Sequence, residues 1–299
     1  MQCDSIVHSV LYDDTTGRAT GVRVVDRETK EERTYTADVI FLCASALSTV
    51  KILLNSTSRA FPSGLANSSG TLGHYIMDHH FKVGALGTIP GFDDRYYYGN
   101  RPNGIYVPRY RNLPGQNDDV DFLRGYGYQG GAFRESWARG ANEPGFGADL
   151  KARLREPGPW KMMLYGFGEI LPYEDNYVTL DDDVTDPWGM PALRTHVEIK
   201  ENEYAMREDM KAEGVRMLEA IGAEDVFAFD DRYWPGEGIH EMGGARMGRD
   251  PETSVLNAHN QAHDVPNLFV TDGSCMTSGA CQNPSLTYMA LTARAVDYA

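Results

Sequence analysis

The chain has 299 residues, enough for one large domain or two of medium size. Its net charge is −15, with 43 acidic against 28 basic side chains and no cluster of Lys and Arg. Because a nucleic-acid surface needs clustered cations, this balance argues against a nucleic-acid partner. No apolar run reaches the roughly 18 residues of a membrane span, so we expect none.

The first 36 residues predict a β-meander. Residues 5–11 alternate in polarity, a turn cluster follows at 13–17, and residues 21–25 form the next strand pattern. A third strand is predicted to begin at Thr34. This first stretch therefore favours antiparallel pairing.

Residues 39–43 form a continuous apolar run, which is typical of a strand buried on both faces of a parallel sheet. A small-residue turn follows, and residues 47–54 then carry a helical apolar stripe. The order of strand, tight turn and helix is the one used by nucleotide-binding α/β folds.

The middle of the chain, about 84–168, is rich in Gly, Pro, Tyr and Arg and predicts a loop-rich antiparallel sheet. Its aromatic residues have a second interpretation, since flat rings stack on the C–H face of a sugar. The candidates for such a wall are the tyrosines at 96–98, Tyr126, Tyr128 and Trp160. Both interpretations stay open at this point.

The last hundred residues begin with a predicted helix at 201–221 and continue to a strand that ends at Asp272-Gly273. Asn283-Pro284 predicts a further helix, with Asn as N-cap and Pro at the first helical position. The core-facing stripe of that helix is expected to consist of Leu286, Met289, Ala290, Ala293 and Val296.

Three features in this region have chemical potential. His240 precedes a glycine-rich loop, where a backbone can approach a ligand and an imidazole can titrate near neutral pH. Asp272 lies at a strand end, where open α/β sheets bind ligands. Asn283 lies at a helix N-terminus, which favours negative charge. Each also has a plain structural interpretation: a loop histidine, a turn and an N-cap.

Taken together, these segments resemble the glucose–methanol–choline (GMC) family of FAD-dependent oxidoreductases, nearest to its sugar or glucoside dehydrogenase and pyranose oxidase-like members. The C-terminal motifs that carry the resemblance are His240-x-x-Gly243-Gly244-x-Arg246-Met247-Gly248, the run from Asn267 to Ser274, and Asn283-Pro284-x-x-Thr287. The N-terminal ones are Val7-x-x-Val10-Leu11, Ala19-Thr20-Gly21-Val22, the run from Ala37 to Ser56, and Gly73-His74-x-x-Met77-Asp78-His79.

The resemblance implies an enzyme that oxidises a hydroxyl group of a sugar or alcohol with FAD as cofactor. His240 would take the hydroxyl proton as base, and the hydride would pass to flavin N5. Asn283 would hydrogen-bond the same oxygen. A neutral imidazole is a suitable base near neutral pH, whereas an amide orients without exchanging protons.

The resemblance also implies cofactor contacts at Val7, Asp272, Gly273, Pro284 and Thr287. A block with Asp78 and His79 would lie close to the cofactor. The cluster His74, Asp78, His79 and His80 could suggest a metal, but no further ligand set is evident and no CxxC pair occurs, so we expect no metal.

The family's G-x-G-x-x-G fingerprint does not follow the first strand. We therefore expect an α/β fold with a partial FAD-binding domain that lacks the dinucleotide-binding motif, at 1–73 and 235–299. A substrate-binding domain on a mostly antiparallel sheet would occupy 74–234. Two alternatives remain: a truncated, non-catalytic fragment or a carbohydrate-binding module. The electron acceptor is open, and a periplasmic location is suggested by the resemblance alone.

Overall fold

The computed structural model describes residues 1–93, 104–116, 120–232 and 237–299. Its strands are β1 (Ser5–Asp13), β2 (Arg18–Asp26), β3 (Glu32–Thr36), β4 (Ile40–Leu42), β5 (His79–His80), β6 (Val83–Ile89), β7 (Gly104–Val107), β8 (Tyr126–Arg134), β9 (Trp160–Glu169), β10 (Tyr177–Thr185), β11 (Pro191–His196), β12 (Glu224–Asp230) and β13 (Leu268–Val270). Its α-helices are α1 (Ala46–Asn55), α2 (Gly147–Arg155), α3 (Glu201–Ala220) and α4 (Ser285–Tyr298), and short 3-10 helices lie at Trp137–Ala141 and Gly273–Cys275.

The N-terminal meander is confirmed, since β1, β2 and β3 pair antiparallel in that order. The apolar run that follows forms β4 with Ile40 and Leu42 buried and Val39 and Cys43 exposed, and β4 pairs in parallel with β13 from the far end of the chain. One hydrophobic core joins Val10, Leu53, Met242 and Leu268, so residues from both ends of the chain pack together. This packing brings the glycine-rich loop after His240 against the first strands and α1.

The middle of the chain builds a six-stranded sheet with the order β12-β6-β9-β8-β7, and β5 pairs with β9. All of its pairings are antiparallel. Helix α3 covers the sheet with Met206, Met210 and Leu218, each fully buried. The predicted fold class, α/β with a mostly antiparallel middle sheet, is confirmed. The boundaries at 73/74 and 234/235 stay predictions.

Strand β8 clarifies two sequence features. Tyr126 and Tyr128 are 0% exposed, so these rings are core residues and offer no face to a sugar.

The run Gly125-x-Gly127-x-x-Gly130 has the spacing of a dinucleotide fingerprint, but Gly127 and Gly130 lie inside an antiparallel ladder. A Cβ on Gly130 would lie 2.1 Å from the Met163 carbonyl oxygen, so close strand packing explains this glycine. The tyrosines at 96–98 lie outside the described residues.

Helix α4 corrects two predictions. It begins at Ser285, with Pro284 at the capping position and no side-chain capping bond, so Asn283 is not its N-cap. The stripe expected in the core is exposed, with Leu286 at 77%, Met289 at 68% and Val296 at 57%, and Ala290 and Ala293 are exposed as well. The helix is apolar on both sides, and its other side, with Tyr288, Leu291 and Ala295, packs on the chain. None of the helices in the described ranges is long and apolar enough to cross a membrane.

Candidate active site

The Asp78 carboxylate holds the backbone around His240. Its Oδ1 accepts from the N–H groups of His79 (2.6 Å) and His240 (2.7 Å), and its Oδ2 accepts from that of Ile239 (3.0 Å). Met77 and Met242 exchange two backbone hydrogen bonds beside this carboxylate, at 2.9 and 2.8 Å. The segments before β5 and after His240 are therefore locked side by side.

Gly243 explains why a glycine-rich loop follows the histidine. Its φ is +84°, in the left-handed region. A Cβ at this position would lie 2.0 Å from the Tyr75 carbonyl oxygen. Its N–H donates to the Gly273 carbonyl oxygen at 3.1 Å, which joins the loop to the end of β13. The glycine thus serves close packing of backbone on backbone.

The imidazole of His240 lies between His79 and Asn283. Its Nδ1 is 2.8 Å from His79 Nδ1, and its Nε2 is 3.3 Å from Asn283 Nδ2. The His79 and His240 rings are nearly perpendicular, at 87°. His79 is fully buried, His240 is half-buried and Asn283 is exposed. The three side chains therefore form a hydrogen-bonded series that runs from the buried His79 through His240 to the exposed Asn283.

The Asn283 amide is oriented from the middle sheet. Gln129 of β8 donates from Nε2 to Asn283 Oδ1 at 2.9 Å, which turns the Asn283 NH2 group towards His240. This contact crosses 154 residues of sequence. The asparagine side chain is therefore held by tertiary structure rather than used as a helix cap.

The carboxylate of Glu169, at the end of β9, organises the loop before Asn283. It accepts from Ser278 Oγ (3.2 Å), Gly279 N (2.8 Å) and Ala280 N (3.1 Å). Arg124 pairs with the same carboxylate at 2.8 Å. The loop in turn places the Ala280 carbonyl oxygen 2.7 Å from His79 Nε2.

Burial controls the protonation of this site. It lowers the pKa of His79 to about 4 and lowers the pKa of His240 below its usual 6.5, where the nearby Glu241 opposes the effect. Burial also raises the pKa of Asp78 to about 6, against the opposing effect of the backbone N–H groups that it accepts. At neutral pH both imidazoles are therefore neutral.

The predicted cofactor residues lie at several places. The Asp272 carboxylate accepts from Thr49 Oγ1 at 2.5 Å and from the N–H and hydroxyl of Ser274. Gly273 packs on Glu241, since a Cβ there would lie 2.4 Å from the Glu241 carbonyl oxygen. Pro284 is buried at the start of α4, and Thr287 is exposed on its first turn. Val7 lies in a different element, β1, half-buried against the core.

An open groove of about 540 Å³ lies at the carboxyl ends of β4 and β13. Cys43 and Thr271 directly follow these two strands and contribute to its wall, and the other lining residues are Asp272, Tyr288, Met289, Thr292 and Ala293. Helix α4 forms one side of the groove and begins next to Asn283. The groove therefore lies between the run from Asn267 to Ser274 and the helix that follows the Asn283-Pro284 motif.

Three members of the histidine cluster considered as a metal site have other contacts, whereas the buried His80 ring has no hydrogen-bond partner among the described residues. His74 bonds the Glu174 carbonyl oxygen at 2.8 Å, and His79 and Asp78 are engaged as above. Within the described part of the chain, no group of three or more His, Cys, Asp or Glu side chains is arranged to hold a metal ion.

Arg246 stacks over Tyr75 at 3.8 Å and bonds the Thr253 carbonyl oxygen, so its guanidinium supports the loop.

Sequence reasoning placed His240 and Asn283 together but missed three residues that position them. His79 was noted as part of a block near the cofactor and of a possible metal cluster, and its spacing from Asp78 gave no sign of a ring contact with His240. Gln129 and Glu169 lie in strands of the middle sheet, and a lone polar residue in a strand pattern carries no signal of its partner.

Comparison with known proteins gives one family. Residues 172–292 match the family model described as GMC oxidoreductase. The 2-methyl-1,2-propanediol dehydrogenase of Mycolicibacterium austroafricanum is 34% identical over 94% of this chain and 51% of its own length. The fructose dehydrogenase large subunit of Gluconobacter japonicus is 26% identical over 98% of this chain and 53% of its own. The chain thus spans about half the length of the curated relatives it matches.

Solved structures agree on the fold. A formate oxidase of Aspergillus oryzae RIB40 aligns with a TM-score of 0.63 at 17% identity, over 98% of this chain and 59% of that one. Pyridoxine 4-oxidase from Mesorbium loti aligns with a TM-score of 0.54 at 16% identity, over 98% of this chain and 57% of that one. The similarity covers the described sheets and helices together.

Proposed function

We propose that this chain, which belongs to the GMC oxidoreductase family, provides the base and the substrate-orienting amide for FAD-dependent oxidation of a sugar or alcohol hydroxyl group. The observation that carries the proposal is the His240–Asn283 pair. Two polar side chains from separate segments converge within 3.3 Å at the outer end of a buried hydrogen-bonded series. Such a pair can bind one hydroxyl oxygen from two directions.

The two side chains have different tasks. His240 Nε2 would accept the O–H proton, which makes the carbon that bears the oxygen a better hydride donor. Asn283 Nδ2 would donate to the oxygen and stabilise the charge that develops there. His79 holds the pair on one side and Gln129 on the other, so a substrate oxygen has only to replace the 3.3 Å contact between His240 Nε2 and Asn283 Nδ2.

The groove fits a flavin better than a free sugar. It lies at the carboxyl ends of two parallel strands, the edge where open α/β sheets bind nucleotides. Most of its exposed lining is apolar, and the first turn of α4 has no side-chain cap, so its N–H groups are available to a polar ring edge. Thr271, Pro284 and Thr287 would lie along the cofactor. When bound, FAD would supply the acceptor for the substrate hydride.

Val7, Asp272 and Gly273 stay proposed cofactor contacts through their backbone. The Asp272 carboxylate is already satisfied by Thr49 and Ser274, and Gly273 is required by its packing on Glu241. Asp272 would shape the wall of the groove, which it lines, and Val7 and Gly273 would meet other parts of the cofactor through their backbone.

The test is a chimera in which this chain replaces the matching 51% of the Mycolicibacterium austroafricanum dehydrogenase. We expect the purified chimera to show a flavin spectrum that bleaches without oxygen when 2-methyl-1,2-propanediol, fructose or gluconate is added. His240→Ala should keep the flavin and slow the bleaching by about 10²–10⁴-fold, the usual contribution of a general base.

His196→Ala is the matched control, since His196 is an exposed histidine of β11. It should bleach at the rate of the parent chimera. A chimera that holds flavin but is not reduced by any of these alcohols would contradict the proposal.

A further inference from the structure

Both ring nitrogens of His79 are engaged. Its Nε2 is 2.7 Å from the Ala280 carbonyl oxygen, and its Nδ1 is 2.8 Å from His240 Nδ1. A carbonyl oxygen can only accept, so the hydrogen of the first bond must be on His79 Nε2. A neutral imidazole has a single N–H, and His79 therefore presents a lone pair at Nδ1.

The bond between the two Nδ1 atoms then needs its hydrogen from His240. We propose that His79 is a positioning residue that holds His240 in its Nδ1–H tautomer and thereby keeps His240 Nε2 unprotonated, as a proton acceptor requires. This inference rests on the proposed function of His240 as the base, and it assigns a role to a residue that touches neither substrate nor cofactor in that proposal.

The surroundings of His79 keep it neutral, as the argument requires. The ring is fully buried, and burial lowers its pKa to about 4. A protonated His79 would carry hydrogens on both nitrogens and could not accept from His240. Within the described ranges, the titratable and charged groups around the two rings are Asp78, His80, Glu169, Arg124 and Glu241. Of these, Asp78 accepts from backbone N–H groups and Glu169 is paired with Arg124.

The acceptor for His79 is itself fixed. The Ala280 carbonyl belongs to the loop that Glu169 holds through Ser278, Gly279 and Ala280. Ala280 has a φ of +52°, an unusual conformation for a residue with a side chain, and the Glu169 contact to its N–H supports it. The tautomer of His79 is therefore set by a rigid neighbour and not by solvent.

The other end of the series agrees with this assignment. Gln129 donates to Asn283 Oδ1, so the Asn283 amide presents its NH2 group to His240 Nε2. An N–H donor on that side requires a lone pair at Nε2. Both neighbours of the His240 ring thus favour one tautomer, whereas a neutral histidine in water prefers the opposite one, with hydrogen on Nε2.

The experiment is nitrogen-15 NMR of the 299-residue chain with labelled histidine, above the pKa of His240. Long-range proton–nitrogen correlations distinguish a protonated from an unprotonated ring nitrogen, and His240→Ala and His79→Asn spectra assign two of the eight histidines. We expect His79 to carry its hydrogen on Nε2 and His240 on Nδ1. A wild-type His240 with its hydrogen mainly on Nε2 would overturn the inference.

Two substitutions separate positioning from simple packing. His79→Asn places an amide oxygen near the former Nδ1 and can still accept from His240, but it loses the bond to Ala280. His79→Gln reaches the former Nε2 and can keep the Ala280 bond, but it offers nothing at Nδ1. We expect His240 to keep the Nδ1–H form in the Asn variant and to change towards Nε2–H in the Gln variant.

In the flavin-containing chimera, the Gln variant should then lose at least about tenfold in the rate of reduction, and the Asn variant should stay within a few-fold of the parent. The reverse order would assign His79 a structural role at Ala280 and contradict the inference. Failure of the proposed function is distinguishable, because it would leave the flavin unreduced in the parent chimera whatever the tautomer of His240.

Discussion

Acid should destabilise this protein through His79 in a way that a single substitution can isolate. The folded protein keeps His79 neutral down to a pKa of about 4, whereas an unfolded chain protonates it near 6.5. Between these values the unfolded state binds the additional proton. The contribution is therefore fully present above pH 6.5 and is lost progressively as the pH falls towards 4.

The size of the effect follows from the separation of the two pKa values. Each pKa unit corresponds to about 1.4 kcal/mol, so the full contribution of this buried imidazole is on the order of 3 kcal/mol. Between pH 7.5 and pH 4.5 roughly 2–3 kcal/mol of it should be lost. His80, whose pKa burial lowers to about 3, acts in the same direction, and Asp78, with its pKa raised to about 6, acts in the opposite one.

The assay is urea unfolding at a series of pH values for the wild type and His79→Asn. The substitution removes the titrating ring and leaves His80 and Asp78 in both proteins, so the difference between the two pH slopes isolates His79. We expect a shallower loss of the free energy of unfolding in the variant. His196→Asn controls for the removal of a histidine at an exposed site. Equal slopes for the wild type and His79→Asn would mean that His79 does not titrate with a lowered pKa in the folded protein.

Four further outcomes are expected. The rate of flavin reduction in the chimera should fall on acidification with a midpoint below pH 6.5, because burial lowers the pKa of the base His240. A midpoint above pH 7 would contradict this expectation. Asn283→Asp should move that midpoint upward, because a carboxylate stabilises protonated His240. Gly243→Ala should cost about 3 kcal/mol or more in urea unfolding, from its positive φ and the contact with Tyr75, whereas Gly70→Ala, with a φ of +71° and open space around it, should cost about 1 kcal/mol. Leu286→Glu should change the free energy of unfolding of this chain by less than about 0.5 kcal/mol because Leu286 is exposed. A larger loss would indicate that the Leu286 side chain is buried in the core.

Local patterns in the sequence predicted the elements that depend on local rules. The alternation in residues 5–11, the apolar run at 39–43 and the helical stripe at 47–54 gave β1, β4 and α1 close to their observed bounds. His240 and Asn283 were found through the spacing of two motifs, and the structure brings them to 3.3 Å. In each case the information lies within a few residues or in a family pattern.

The rest depends on contacts between distant segments. Asn283 satisfies every local rule for an N-cap, yet Gln129, 154 residues away, takes its side chain. His79 meets His240 across 161 residues, and its sequence neighbours Asp78 and His80 are equally polar. Asp78 instead accepts from backbone N–H groups, and the His80 ring has no hydrogen-bond partner among the described residues. The apolar stripe of α4 gave a correct helix but the wrong buried face, because both faces of the helix are apolar and periodicity alone cannot choose between them.

The role of His240 as the base that removes the substrate proton can be measured directly. The measurement is the anaerobic rate of flavin reduction in the chimera with His240→Ala, recorded by rapid mixing with and without added imidazole. We expect a rate at least about 100-fold below that of the parent, partly restored by imidazole in proportion to its neutral form. A variant that reduces its flavin at the parent rate would show that His240 is not the base.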